Sequence, residues 1–260
     1  MTPRAFHIAV MALGGQGGGV LVDWIVDLAE HAGWTAQSTS VAGVAQRTGA
    51  TIYYIELVEP TPGLEPVMAQ MAVPGDVDIA IAAELMEAGR ALDRGLVTRD
   101  RTTLIASTHR TYAVQEKTVP GNGIADSAGV IEHLRRQSGR LIAADLQALA
   151  QRHGSVISAS LFGALAGSRA LPFDLSAFEA VVERSGVGVK ASLGALRDAA
   201  ALAHDCSPAT AVPVPGSSVE TPPRALPQAA ASPALQPLLV RIRNHFPAAA
   251  QDWLGEGLAR

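Results

Sequence analysis

Residues 6–13 (Phe-His-Ile-Ala-Val-Met-Ala-Leu) form an unbroken run of largely apolar positions, and a glycine cluster follows at once. A short continuous run of this kind, ended by turn residues, predicts a buried parallel strand. Beyond the cluster, Val20, Leu21, Trp24, Ile25, Leu28 and Ala29 recur at helical spacing until Gly33. Strand, glycine turn and helix together predict the opening of an α/β nucleotide-fold unit. Residues 35–40 read as a short strand, followed by a loop over 41–49. Residues 50–58, rich in β-branched and aromatic side chains, read as a further strand, ended by Pro60, Pro62, Gly63 and Pro66. Strands are predicted at 77–82, 103–107 and 140–143. Helices are predicted at 84–94, 126–137, 145–152, 156–168, 174–184 and 190–204, with a loop or hairpin running on to Gly123. The fold class expected is α/β, an open, mostly parallel Rossmann-like sheet with helices on both faces.

The pattern then breaks. Eight of the sixteen prolines lie between Pro208 and Pro237, among Ala, Ser, Thr and Val, which predicts a disordered or extended Pro/Ala-rich linker. A helix is predicted over 235–246. The expected organisation is a folded domain over 1–205, a linker over 206–234 and a short tail over 235–260.

Composition narrows the function classes. Of the 260 residues, 48% are hydrophobic and 17% charged, below the roughly 25% charged that is usual. Such a chain buries a real core, and a surface short of charge fits one partly covered by another subunit, although an alanine-rich core gives the same numbers. A net charge of -4 argues against a nucleic-acid-binding face. The one cysteine, Cys206, excludes an intrachain disulfide, a Cys-ligated iron–sulfur cluster and a four-cysteine zinc site. No signal peptide is read at the N-terminus, and the longest uncharged apolar stretch, 155–168, is too short and too rich in Ser and Gly to span a bilayer. The expected location is the cytoplasm.

Four stretches carry candidate chemistry. In Gly14-Gly15-Gln16-Gly17-Gly18-Gly19 the backbone can approach a phosphate at a helix N-terminus. The dinucleotide fingerprint is incomplete, because Val20 stands at its third glycine position and the second strand carries no ribose-binding acid. No Lys-Ser/Thr follows the glycines, which excludes a P-loop. The plainer reading is a tight strand-to-helix turn pressed against a neighbouring chain. In residues 41–49, Gln46 and Arg47 sit between glycines; Arg suits carboxylate or phosphate recognition, and a solvated or interface Arg is the equal alternative. Asp76 and Asp78, with Glu84 and Glu87, invite an acid/base or metal reading. Strand-flanking caps, a helix start at Glu84 and a Glu87–Arg90 helix pair are the simpler account. Ser107-Thr108-His109-Arg110-Thr111 follows a strand's carboxyl end, where open α/β sheets bind ligands, although a lone loop His is more often exposed and inert. Neither a nucleophile elbow nor a metal-spaced His pair is present, so no catalytic residue is assigned and no metal site is expected.

Taken in order, these stretches resemble the gamma-type domain of the 2-oxoacid:ferredoxin oxidoreductases. Residues 12–17 (Ala-Leu-Gly-Gly-Gln-Gly) are similar to its Gly-x-Gly-Gly-Gln-Gly opening, and residues 40–49 to its Gly-x-Ala-Gln-Arg-x-Gly segment. Asp76-Val77-Asp78 through Arg90 resembles its acidic strand followed by Glu-x-x-Glu-Ala, and the 107–117 loop and 158–167 helix also fit. The likeness runs over about residues 6–204 and is nearest to the beta subunit of indolepyruvate ferredoxin oxidoreductase. Two departures stand out: Ala12 replaces the family's first loop Gly, and Ser158 stands where the family's helix often starts with Asn. The tail resembles the start of a C-terminal extension in longer subunits of this type.

The resemblance implies a subunit that is inactive alone. In the family reaction a 2-oxoacid is decarboxylated on thiamine diphosphate, electrons pass through iron–sulfur clusters to ferredoxin, and the acyl group goes to coenzyme A. This chain has no Gly-Asp-Gly with a distant Asn, since Asn122 and Asn244 are its only asparagines, and it has no cluster ligands. The resemblance therefore places thiamine diphosphate, Mg and the clusters in a large alpha subunit, with coenzyme A as co-substrate, ferredoxin reached through the complex, and an arylpyruvate such as indolepyruvate as substrate. Gly14, Gly15, Gln16, Gly17 and Gly18, then Gln46 and Arg47, are the residues expected to face the partner or a coenzyme A phosphate. The rival expectation is a stand-alone nucleotide- or phosphate-binding α/β module. Neither reading calls for a nucleic acid or a membrane.

Overall fold

A computed structural model describes residues 4–42, 50–63, 66–111, 116, 124–206 and 236–246. The chain divides into two units, residues 1–211 and 212–260. In the first, the elements run β1 (Ala5–Leu13), α1 (Gly18–His31), β2 (Thr35–Ala42), β3 (Ala50–Val58), β4 (Ile79–Ala82), α2 (Leu85–Asp93) and β5 (Thr103–Ser107), then α3 (Ser127–Gln137), β6 (Arg140–Ala144), α4 (Leu146–Arg152), α5 (Ile157–Ser168), α6 (Leu175–Ser185) and α7 (Val189–Asp205). In the second, α8 (Gln236–His245) is the described element, with Pro237 in its first turn, where a missing N–H costs nothing. The linker expected over 206–234 lies, apart from Cys206, outside the described residues.

Six strands form one mixed sheet in the order β2-β3-β1-β4-β5-β6. Strands β1, β4, β5 and β6 are parallel neighbours, as expected. The Rossmann-like opening needs correction. Strand β2 does not lie beside β1; β3 is inserted between them, antiparallel to both, with Ala9 opposite Tyr54 and Thr39 opposite Tyr54 on the other side. The run 50–58 has the same β-branched character whichever way it points, so its direction was not readable from composition.

Side chains alternate across the sheet with period two, and the two faces differ in size. Ile8, Val10, Ile79, Ile81, Ile105 and Ile142 face the larger core with α1 and α4–α7. Their neighbours Ala9, Met11, Ala80, Ala82, Leu104 and Ala106 face a smaller core with α2 and α3. Helices thus cover both faces, as the buried, near-continuous apolar strands require. Helix α5 is buried at all of its residues and crosses α7 closely. A Cβ added at Gly163 would stand 2.2 Å from the Leu196 carbonyl oxygen, and one at Gly167 2.1 Å from that of Ala200, so only glycine permits this approach. Phe162 of α5 then packs between Trp24 of α1 and Phe178 of α6, with ring centroids 5.5 and 4.7 Å away.

This arrangement locates the site. The chain leaves β1 toward one sheet edge and leaves β4 toward the other, so the strand order switches direction between them. Ligands of open α/β sheets bind outside the carboxyl ends of strands near such a switch.

Candidate functional site

The glycine cluster is a tightly built turn in which each residue has its own role. Gly15 and Gly17 have φ of 85° and 69°, the left-handed region that side chains with a Cβ avoid. Gln16 closes the turn: its Oε1 accepts the Leu13 N–H at 2.9 Å, while its own N–H donates to the Leu13 carbonyl at 3.1 Å. Its side-chain oxygen is therefore committed to the turn. Gly18 answers a packing demand, since a Cβ there would lie 2.7 Å from the Tyr53 ring and 2.8 Å from the Ala12 Cβ. Ala12 thus sits against the start of α1. Gly14 has no described atom near a built Cβ and is exposed, as is Gly15.

Below this turn lies a cavity of about 610 Å³ between the starts of α1 and α5, lined by Gly15, Gln16 and Gly17 together with His109, Thr111 and Ser158 among others. Gly17 is the N-cap of α1 and Val156 that of α5, and neither supplies a side-chain cap. The same holds for α6 and α7, whereas α2, α3 and α4 are capped by Glu84, Asp126 and Asp145. First-turn N–H groups have no acceptor within their own helix, so α1 and α5 present donors here. Ser158 is fully buried, and its Oγ has no hydrogen-bond partner. That oxygen lies 3.1 Å from where a Cβ on Gly17 would stand, directly against the turn.

His109 enters from the loop after β5, and it is half-buried where an exposed loop His was expected. Ser107 Oγ accepts the Leu146 N–H at 3.1 Å and lies 2.8 Å from His109 Nδ1. Burial pushes the imidazole pKa down, partly opposed by Asp145 and Glu84, so the ring is neutral near pH 7.

The other candidates are structural. Glu84 Oε1 caps α2 by accepting the Glu87 N–H at 2.7 Å, and its Oε2 accepts the Thr111 N–H at 3.3 Å. Glu87 pairs with Arg90 on the same helix, its carboxyl raised chiefly by burial. Arg110 holds its own loop, pairing with Glu116 and donating to the Ala125 carbonyl at 3.0 Å. Asp76 and Asp78 lie at the opposite end of the sheet, paired with Arg101. Among the described residues no group of three or more His, Cys, Asp or Glu could hold a metal ion. No described helix is long and apolar enough to cross a membrane. Gln46 and Arg47 lie outside the described residues. Sequence reasoning placed the turn but did not single out Ser158 as lining the cavity beside it; the one available signal was its small polar side chain where the resembling family often has Asn.

No curated protein sequence matches the chain. Among solved structures, the chain is similar to the pyruvate oxidoreductase subunit PORC of Thermotoga maritima, at 18% identity and a TM-score of 0.52, covering 76% of this chain and 96% of that one. It is also similar to the 2-oxoglutarate:ferredoxin oxidoreductase of Magnetococcus marinus, solved with 2-oxoglutarate, coenzyme A and succinyl-CoA bound, at 14% identity and a TM-score of 0.53. That match covers 80% of this chain but 32% of the longer one. At these identities the likeness is one of fold. The family assignment comes from the sequence itself: residues 7–202 match the family described as Pyruvate ferredoxin/flavodoxin oxidoreductase. With three quarters of its length in that match, the chain belongs to the pyruvate ferredoxin/flavodoxin oxidoreductase family, as a gamma-type domain of the 2-oxoacid:ferredoxin oxidoreductases.

Proposed function

We propose that this chain works as the gamma-like subunit of an oxidoreductase that acts on an arylpyruvate such as indolepyruvate. The observation that carries the reading is the family match over residues 7–202 in a chain with a single cysteine. An iron–sulfur cluster requires several thiolates, so electron transfer in this family needs ligands that another polypeptide supplies. In the Magnetococcus marinus enzyme the matching region is a minor part of a longer chain. Here a separate large alpha subunit contributes thiamine diphosphate, Mg and the clusters, passes electrons to ferredoxin, and uses coenzyme A as acyl acceptor. Gly14, Gly15, Gln16, Gly17 and Gly18, with Gln46 and Arg47, face that subunit or a coenzyme A phosphate. The arylpyruvate preference rests on the motif likeness to indolepyruvate-type beta subunits.

The test is anaerobic, coenzyme A-dependent reduction of an artificial electron acceptor by a candidate large subunit, with and without this chain co-expressed. Indolepyruvate, pyruvate and 2-oxoglutarate are compared. Activity that requires both chains and favours indolepyruvate is the expected result. A requirement for both chains with pyruvate preferred keeps the subunit role and discards the substrate. No association with the large subunit discards both. Arg47→Ala is expected to lower the activity of the assembled enzyme more than its melting temperature, and equal losses in both would remove Arg47 from the binding face.

A further inference from the structure

The two edges of the sheet are not alike. Strand β6 is a five-residue edge that opens on Arg140, whose guanidinium donates to the Ser168 and Ala203 carbonyls at 2.5 and 3.2 Å. A short edge strand with a fixed charge is guarded against pairing with other chains. Strand β2 has no such device. It runs for eight residues, Thr-Ala-Gln-Ser-Thr-Ser-Val-Ala, with no charged side chain and no proline. Its register against β3 is continuous from Thr35 opposite Val58 to Ala42 opposite Thr51, so no bulge twists the edge away. Among the described residues, no backbone group bonds to its outer side.

An apolar rim adjoins this edge. Gln37 Nε2 and Thr39 Oγ1 donate to the Ala69 and Gln70 carbonyls at 3.1 and 2.7 Å, and the Ala69 N–H donates to Glu56 of β3 at 2.9 Å. The segment around 69–70 is thereby strapped across β2 and β3 on one face of the sheet. On this strap Val67, Met71 and Val73 are each more than half exposed, and Val41 is exposed on the same face of β2 as Gln37 and Thr39. Residues 66–73 (Pro-Val-Met-Ala-Gln-Met-Ala-Val) carry no charge.

We propose that β2 pairs antiparallel with β2 of a second copy of this chain, joining two six-stranded sheets into one across a two-fold axis. Charge selects this occupant. A two-fold interface sets the same surface against itself, so any charged residue near the axis meets its own like charge. Strand and strap are neutral throughout, which removes that penalty, and they offer a charged partner nothing to pair with. The axis runs perpendicular to the sheet, because residues opposite each other in an antiparallel pair share a face. Both straps then lie on one side of the joined sheet, where their apolar side chains flank the seam. The middle of the strand, Ser38 or Thr39, faces its own copy. The pairing goes beyond the subunit role and does not depend on it, since it uses neither the glycine turn nor the helix starts beside it.

The test is sedimentation of the purified full-length chain over about 1–100 µM. A dimer at twice the 26.9 kDa chain mass is expected. Ser38→Lys with Ser40→Lys places charges on exposed edge positions and should raise the dimer dissociation constant about a hundredfold, with the far-UV circular dichroism spectrum unchanged. Met71→Lys, on the strap alone, should raise it about tenfold. In a Cys206→Ser background, Ser38→Cys or Thr39→Cys should form a disulfide-linked dimer on mild oxidation, because opposed Cα atoms lie about 4.5–5.5 Å apart. Val41→Cys, more than about 10 Å from its copy in either register, should not. A monomer throughout the concentration range would overturn the proposal, as would a dimer indifferent to the lysines or a failure of both central cysteines to crosslink. A monomer whose binding to a candidate large subunit is lost in the lysine variant would also overturn it, by giving the edge to that subunit.

Discussion

At the amino ends of the parallel strands the charged groups join into one paired network; at their carboxyl ends they cap helices and hold a loop, and a buried hydroxyl is left over. Asp78 anchors the first region. Its Oδ2 accepts the His7 N–H at 2.8 Å and its Oδ1 accepts from Arg101 Nε at 2.7 Å. Arg101 also pairs with Asp76, and Tyr54 donates to Glu56 at 2.6 Å, whose other oxygen accepts the Ala69 N–H at 2.9 Å. Burial and this carboxylate push the Tyr54 phenol well above its usual range, so it stays a donor. These bonds tie the long connection before β4, and the segment before β5, to the sheet. The carboxyl end holds a glycine turn with two left-handed residues, two uncapped helices and the unpartnered Ser158. The difference teaches that the cluster of titratable groups, the more conspicuous feature of the two, ties connections to the sheet, while the carboxyl end leaves one buried hydroxyl without a hydrogen-bond partner.

Substitutions should separate the two ends by sign. The largest effect is expected at the amino end. Asp78→Ala strands the His7 N–H and leaves Arg101 with Asp76 alone, and should cost about 2–3 kcal/mol in urea unfolding. Asp76→Ala, which removes a half-exposed partner, should cost under about 1 kcal/mol. Equal losses would mean that ion pairing in general, and not the half-buried backbone bond, holds this end. Next comes Gly17→Ala, at φ 69° with Ser158 Oγ 3.1 Å from the new methyl, with an expected cost of about 1–2 kcal/mol. Combining it with Ser158→Ala should recover the contact part and not the backbone part, so the double variant measures how closely turn and hydroxyl touch.

Much of this was legible in the sequence, and the failures have physical causes. The apolar runs at 6–13 and 103–107 and the helical spacing of 156–168 follow directly from burial, so element types and most boundaries emerge from local pattern. Glu84 as helix start and Glu87 with Arg90 are local too. The pairing of Asp76 and Asp78 with Arg101 was not legible, because it joins positions more than twenty residues apart. The direction of β3 was not legible, because pairing is decided by neighbours and not by its own composition. Ser158 lies in Ser155-Val156-Ile157-Ser158-Ala159-Ser160, which reads as small-residue helix packing. Ser160 does behave that way, donating to the Leu146 carbonyl at 2.7 Å, and only the tertiary surroundings set Ser158 apart.

A reversed sign is expected for Ser158→Ala in the free chain. Removing a buried hydroxyl that bonds to nothing removes its desolvation cost, so stability should rise by about 1 kcal/mol. A loss of similar size, measured by the same urea unfolding, would show that the hydroxyl already has a partner and that the two ends do not differ as argued.

The smallest expected effect is a pH dependence. The His109 pKa is lowered from 6.5 by burial, with Asp145 and Glu84 as the carboxylates acting on it from the starts of α4 and α2. Between that lowered value and 6.5 the unfolded chain binds more protons than the folded one. The His109 contribution is therefore complete above 6.5 and declines as pH falls toward the folded-state value. His109→Gln should flatten that slope and leave the stability near pH 8 little changed.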